Sequence, residues 1–335
     1  MSRIAILGSG AWGTALAVHL SQRSDHNVVL WTRSPAAAAE MRQQRENLRH
    51  LPGFALPAAL TITSEAIEAV ADAEIVVSVV PSEHLRATYT HFAPWLRKEQ
   101  ILVSATKGIE DGTLLRMTEV IRQTLASSAL NPPCGVLSGP SFAQEVAAGS
   151  PTALTIAFVE NAFAAKIQRE FSSATLRLYT NEDLVGVELG GALKNVIAIA
   201  SGVVTGLILG HNAAAALITR GIAEITRLAV ACGGRRTTLA GLSGLGDLVL
   251  TCTGSLSRNR LVGMELGKGR ALEEILTGLD GKVAEGVRTT FAALDLANSH
   301  GIEMPITEQV AAILSGRRSP LDAMRELMAR PGKDE

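Results

Sequence analysis

The chain predicts a doubly wound α/β domain with a mainly parallel sheet, followed by a mainly helical second domain. Three observations carry this. From Met1 to about Val185, short apolar runs, often β-branched, alternate with helical patterns. The first run passes through a glycine-punctuated turn straight into a helix. From Asp183 onward, long helical patterns broken by Gly and Pro replace the strands.

The elements follow in order. Ile4 to Leu7 is a buried strand, and Gly8, Gly10 and Gly13 punctuate its exit. Gly8 allows a tight turn, Gly10 close approach of a ligand to backbone, and Gly13 close packing of helix on strand. The helix Trp12 to Arg23 aims unpaired N–H groups into that turn, and Asn27 to Trp31 completes a βαβ unit. A pyrophosphate suits such donors, so a dinucleotide is the expected ligand. The same start also imitates a secretory signal, with Arg3, an apolar run and Ala15-Leu16-Ala17; three glycines and a single basic residue argue against that. Further strands are expected at Leu60 to Thr63, Ile75 to Val80, Ile101 to Ser104, Val136 to Ser138, Ala153 to Phe158 and Leu176 to Tyr179. Continuous apolar strands between helices mean a sheet covered on both faces.

Size and composition bound the rest. At 335 residues the chain is longer than one core usually supports. The expected division is 1–188 for a dinucleotide-binding domain and 189–335 for a helical substrate-binding domain, with the active site between them. Charged residues make up 19%, and 31 basic against 32 acidic side chains give a net charge of -1. That balance makes no electrostatic case for nucleic acid or an anionic membrane as partner. Cys134, Cys232 and Cys252 are odd in number and far apart, which fits a reduced cytoplasm and gives no metal-ligand spacing. Val196 to Gly210 is apolar but falls short of the roughly 20 residues a bilayer requires, and it reads as a buried helix.

Several segments carry candidate chemistry. After the second strand stands Trp31-Thr32-Arg33-Ser34, without the carboxylate that favours a ribose 2′-hydroxyl. Arg33 suits a 2′-phosphate, so NADPH is favoured and NAD stays open; a solvated surface arginine is the plainer alternative. Lys107 stands at the tip of a strand, in Ser104-Ala105-Thr106-Lys107, where it faces either ligand or solvent. Gly139 and Ser141, in Ser138-Gly139-Pro140-Ser141, offer small groups and backbone donors near a helix start, as an ordinary capped turn would. Lys194 lies on a helix read as crossing between the domains, with Gly190, Gly191 and Ala198 beside it, too small to cover its ammonium group. Asp247 is the one carboxylate of a glycine-rich connection, available to orient a lysine or to cap a helix. Ser257, Arg258 and Asn259 open a helix with a hydroxyl, a guanidinium and an amide, a phosphate site by charge and donor geometry.

Taken in order, G-S-G-A-W-G-T-A-L-A, V-V-P-S, T-K-G-I-E, S-G-P-S-F-A, G-A-L-K-N-V, G-D-L, S-R-N and V-A-E-G-V resemble bacterial NAD(P)-dependent glycerol-3-phosphate dehydrogenases over nearly the whole chain. The resemblance implies a Rossmann-like first domain, an all-α C-terminal domain, and interconversion of dihydroxyacetone phosphate and sn-glycerol 3-phosphate that supplies phospholipid synthesis. It implies Lys194 as the catalytic proton-transfer residue. Lys107, Gly139, Ser141, Asp247, Ser257, Arg258 and Asn259 match substrate contacts. Trp12, Arg33, Lys107, Ala143, Arg258, Val283 and Glu285 match cofactor contacts, beside Gly8, Gly10 and Gly13. Ala11 replaces the hydroxyl residue common before the aromatic, which leaves only backbone contact there, and His50 stands where an aromatic is common. A soluble, cytoplasmic enzyme with a small phosphorylated substrate is implied. A homodimer is the expected assembly.

In the expected mechanism Lys194 protonates the oxygen left by hydride addition, with its amine pKa lowered by desolvation and by Lys107 and Arg258, while Asp247 holds the ammonium in line. Two other readings are a related dehydrogenase acting on a hydroxy acid or sugar phosphate, and a non-catalytic nicotinamide sensor.

Overall fold

The computed structural model describes residues 2–279 and 284–332. Two compact units divide the chain: Met1–Lys107 with Leu115–Leu184, and Gly108–Leu114 with Val185–Glu335.

The first unit opens with β1 (Ser2–Leu7), α1 (Ala11–Leu20), β2 (His26–Trp31), α2 (Pro35–Gln44) and a small hairpin of β3 (Glu46–Asn47) and β4 (Leu51–Ala55). Then come β5 (Thr61–Thr63), α3 (Ala66–Val70), β6 (Ile75–Ser78), α4 (Ser82–Phe92), β7 (Ile101–Ser104), α5 (Met117–Ala126) and β8 (Cys134–Ser138). It closes with α6 (Ala143–Ala147), β9 (Thr152–Ala157), α7 (Asn161–Phe171) and β10 (Leu176–Asn181). Eight strands form one sheet in the order β10-β9-β8-β7-β6-β1-β2-β5. All adjacent pairs are parallel except β8 with β9, so the sheet is mainly parallel as expected. From β5 to β8 the arrangement is that of a Rossmann-type sheet, with its switch point between β1 and β6.

Both faces of the sheet are buried, for a reason visible in the strands. Ile4, Ile6, Val28, Leu30, Ile75 and Val77 pack on one side with Leu16, Met41 and Ile167. Ala5, Leu7, Val29, Trp31 and Val76 pack on the other with Tyr89, Phe92 and Ile121. Side chains alternate along a strand, so a strand covered twice must be apolar at every position.

Some boundaries differ from expectation. β6 ends at Ser78 rather than Val80 because the chain must leave the sheet where the glycine turn packs on it: a Cβ at Gly8 would lie 2.8 Å from the Val79 carbonyl oxygen. α1 ends at Leu20 rather than Arg23, closed by Ser21, whose hydroxyl donates to the Ala17 carbonyl at 2.7 Å. The β3–β4 hairpin was not expected, since its two-residue and five-residue strands are too short for a periodic signal and Pro52 and Gly53 interrupt the second.

The second unit is helical: α8 (Leu184–Gly206), α9 (Gly210–Ala231), α10 (Arg236–Leu239), α11 (Asp247–Thr253), α12 (Arg258–Gly267), α13 (Leu272–Thr277), α14 (Glu285–Ser299), α15 (Pro305–Leu314) and α16 (Pro320–Met328). α8 is long and apolar enough to cross a membrane, yet 89% of its apolar window is buried in protein. Rather than crossing between units, α8 lies in the second one from Val185 onward, because Leu189, Leu193, Val196, Ile197 and Ile199 are part of that unit's core. Its contact with α12 is backbone on backbone. A Cβ at Gly202 would sit 2.0 Å from the Arg260 carbonyl oxygen, and one at Gly263 would sit 1.9 Å from that of Ile199.

Candidate active site

In the first unit the turn after β1 has the shape of a cradle. Gly8 adopts φ +120, and a Cβ at Gly13 would lie 2.0 Å from the Gly8 carbonyl oxygen, whereas a Cβ at Gly10 would meet nothing within 4 Å. Gly10 caps α1 without a side chain, and the first helical turn, which includes Ala11 and Trp12, carries no acidic residue. Unfilled helix N–H groups beside open space, with no carboxylate to repel an anion, fit the pyrophosphate of a dinucleotide. Trp12 packs against the sheet core, and α1 packs against α6, which begins at Ala143.

The other candidates of this unit lie at strand exits. Arg33 is exposed beyond β2 and makes no hydrogen bond or ion pair among the described residues; Ser34 beside it caps α2, accepting from the Ala37 N–H at 3.2 Å. Gly139, at φ +136, is buried just past β8, and the Ser141 hydroxyl donates to its carbonyl at 3.1 Å. Lys107 is partly exposed beyond β7, next to Thr106, whose hydroxyl donates to the Val80 carbonyl at 2.8 Å.

The second unit holds the most concentrated chemistry. Lys194, 7% exposed, extends its Nζ to a carboxylate oxygen of the fully buried Asp247 and donates to the Thr251 hydroxyl at 2.8 Å. Thr251 lies four residues past Asp247 on α11, and its hydroxyl also donates to the Asp247 carbonyl at 2.6 Å. Asp247 therefore pairs with a lysine across the fold rather than capping a helix. Gly190, one of the small residues beside Lys194, has a different use from the one expected. A Cβ at Gly190 would lie 2.6 Å from the Ser243 carbonyl oxygen, so the space fills with the wide turn Leu242–Gly246 that delivers Asp247. Wide turns of this π type are frequent at functional sites. Nearby, burial pushes the Cys252 thiol up to about 12 against the pull of the Lys194 charge, which keeps it neutral.

One residue on, Asn195 begins a second network. Its side-chain oxygen accepts from the Asn259 amide at 3.0 Å, and the Asn259 oxygen accepts from the Gly286 N–H at 3.0 Å. The Asn259 side chain thus ties α8, α12 and α14 together at a point beside Glu285, which is partly buried. Ser257 caps α12, accepting from the Arg260 N–H at 3.2 Å, and Arg258 is exposed with no hydrogen bond or ion pair among the described residues. Val283 lies outside the described residues.

The structure thus joins Lys194 to Asp247, and joins Asn259 to Asn195 and to Gly286, the second residue of α14. Reading the sequence missed Thr251 and Asn195. The first was findable as the residue one helical turn beyond Asp247, the second as the neighbour of Lys194.

Comparison with known proteins gives a consistent answer. Residues 3–164 match the model for the NAD-dependent glycerol-3-phosphate dehydrogenase N-terminus, and residues 183–325 the model for the C-terminus of the same family. The chain is 63% identical over the full length of both chains to a glycerol-3-phosphate dehydrogenase [NAD(P)+] from Acidobacterium capsulatum. It is 56% identical to one from Koribacter versatilis, covering 100% of this chain and 99% of the relative. A solved glycerol-3-phosphate dehydrogenase from Coxiella burnetii superposes with a TM-score of 0.93 at 40% identity, covering 98% of this chain and 99% of that one.

Proposed function

The chain belongs to the NAD-dependent glycerol-3-phosphate dehydrogenase family, and from that premise we propose how its residues perform the reaction. It is an NAD(P)-dependent oxidoreductase that interconverts dihydroxyacetone phosphate and sn-glycerol 3-phosphate. The observation that carries the assignment of roles is the buried Lys194, held by Asp247 and Thr251.

Hydride addition to a ketone leaves negative charge on the former carbonyl oxygen, and a positioned acid must receive it. Lys194 is that acid: its ammonium stabilises the developing alkoxide and passes it a proton from Nζ. In the reverse direction the neutral amine takes the proton back. Asp247 and Thr251 fix the direction of Nζ, which otherwise ends a flexible four-carbon stem. Ser257, Arg258 and Asn259, at the start of α12, bind the substrate phosphate by charge and by helix donors. Anchoring the phosphate lowers the entropic part of the barrier at the distant carbonyl. Lys107, Gly139 and Ser141 in the first unit are further substrate contacts.

Nicotinamide, when bound, supplies or accepts the hydride. The glycine turn of Gly8, Gly10 and Gly13, with Ala11 and Trp12, holds the pyrophosphate, and Ala143, Arg258, Val283 and Glu285 complete the cofactor contacts. Arg33, solvated and without a carboxylate beside it, favours NADPH over NADH by pairing with a 2′-phosphate. The first domain, 1–188, supplies most of the cofactor contacts and the second, 189–335, most of the substrate contacts. The physiological form proposed is a cytoplasmic homodimer that feeds phospholipid synthesis; the free Cys134, Cys232 and Cys252 fit a reducing compartment.

The test is steady-state kinetics on one sample with NADPH and NADH, dihydroxyacetone phosphate and a panel of other keto compounds. Lys194→Ala is expected to lower kcat by about 10² to 10⁴, the usual worth of a positioned proton donor. Near-normal turnover in that variant would remove the assignment.

A further inference from the structure

We propose that Asn47, on the β3–β4 hairpin, is a positioning residue for the cofactor. Its amide locks the Ser9 carbonyl and so sets the direction in which the glycine turn offers its N–H groups. The inference rests on the reading of that turn as the holder of the dinucleotide.

Asn47 is 4% exposed and every part of its amide is engaged. Its nitrogen donates to the Ser9 carbonyl and to the Thr14 hydroxyl, both at 2.8 Å. Its oxygen accepts from the His50 N–H at 3.2 Å, which closes the hairpin turn over it. The Thr14 hydroxyl in turn donates to the same Ser9 carbonyl at 3.2 Å, so two donors converge on one oxygen. This requires two N–H groups and one acceptor on a short arm. Asparagine alone supplies that; aspartate lacks the donors, and glutamine carries them one methylene further out.

The position of the locked carbonyl gives it leverage. Ser9 lies between Gly8 and Gly10, and glycine resists rotation of an adjoining peptide plane less than any other residue. Left to itself, that plane could rotate at little cost. A trans peptide carries its C=O and N–H on opposite sides, so holding the Ser9 oxygen toward Asn47 turns the Gly10 N–H away from it. The same bonds seat α1, because Thr14 belongs to its first turn and the Thr14 N–H donates to the Gly10 carbonyl at 2.9 Å. The hairpin therefore works as a brace that organises anion donors before the anion arrives, which reduces the ordering cost of binding.

The experiment compares Asn47→Ala and Asn47→Asp with the parent chain by calorimetric titration with NADPH, by thermal unfolding, and by the separate KM and kcat values. Each variant is expected to bind NADPH at least about tenfold more weakly. The KM for dihydroxyacetone phosphate and the kcat at saturating NADPH stay within about threefold. The loss in the Ala variant persists at high salt, because it comes from a released peptide and not from charge; the nearly isosteric Asp variant carries the test if Ala does not fold. NADPH affinities within twofold of the parent overturn the proposal. So does a loss of folding or of kcat in both variants without a selective loss of NADPH affinity, which would make Asn47 a packing residue. A parent chain that fails to bind NADPH overturns the reading of the glycine turn itself.

Discussion

Lys194 shows what a single residue can and cannot reveal in sequence. Its place in Leu193-Lys194-Asn195 marks it as a cation on an apolar helix, an arrangement that demands a partner, since an isolated buried charge is costly. The partner, Asp247, stands 53 residues away, and the second hydrogen bond, to Thr251, spans 57. Spacing rules reach across helical turns, not across such distances. Thr251→Val removes one hydrogen bond to a charged group, worth about 1.5 to 3 kcal/mol, so kcat/KM should fall roughly 10- to 150-fold in a protein that still folds. Unchanged kinetics in that variant would exclude Thr251 as a support of the amine.

Elements were legible in proportion to their length and regularity. The inner strands of the main sheet announce themselves as apolar runs, because burial on both faces demands apolar side chains, whereas the edge strand β10, Leu176–Asn181, alternates buried Leu176 and Leu178 with exposed Arg177 and Tyr179. The hairpin that carries Asn47 has no such pattern, and its role comes from hydrogen bonds to a turn 38 residues earlier. The crossing of α8 and α12 was equally silent, since a glycine that admits a neighbouring backbone looks like any other glycine. Gly263→Ala would drive a methyl group to 1.9 Å from the Ile199 carbonyl oxygen. Overpacking of this kind costs about 1 to 3 kcal/mol, and more where backbone must shift, so denaturant unfolding should show a clear loss of stability. α1 carries a second test. Burial holds the His19 imidazole below its usual 6.5, partly offset by a hydrogen bond to the Phe171 backbone. The folded state thus prefers neutral His19: its contribution is intact above 6.5 and is lost as pH falls through the depressed folded value. His19→Gln should flatten the acid side of the stability curve below pH 6.5, measured by thermal unfolding as a function of pH.

At the scale of the whole molecule, length and the change of rhythm near Asp183 already imply two domains, and each observed unit has its own core. The return of Gly108–Leu114 to the second unit carries no sequence mark; Ile109 is counted there because it is buried among side chains from α8 onward. Cofactor bound by the first unit should stabilise it by about 2.7 kcal/mol at a hundredfold excess over Kd, by mass action. Scanning calorimetry with NADPH would register an upward shift of its transition, and no shift would count against the glycine turn. By itself the sequence determined the strands of the main sheet and the helices between them, the glycine turn and the identity of the basic residue on α8, because these depend on contacts between near neighbours and on patterns that repeat every two or three to four residues. Only the tertiary structure decided which carboxylate and hydroxyl meet Lys194, which amide braces the turn and which glycines let helices touch. Such contacts join residues far apart in the chain, and no local periodicity encodes them.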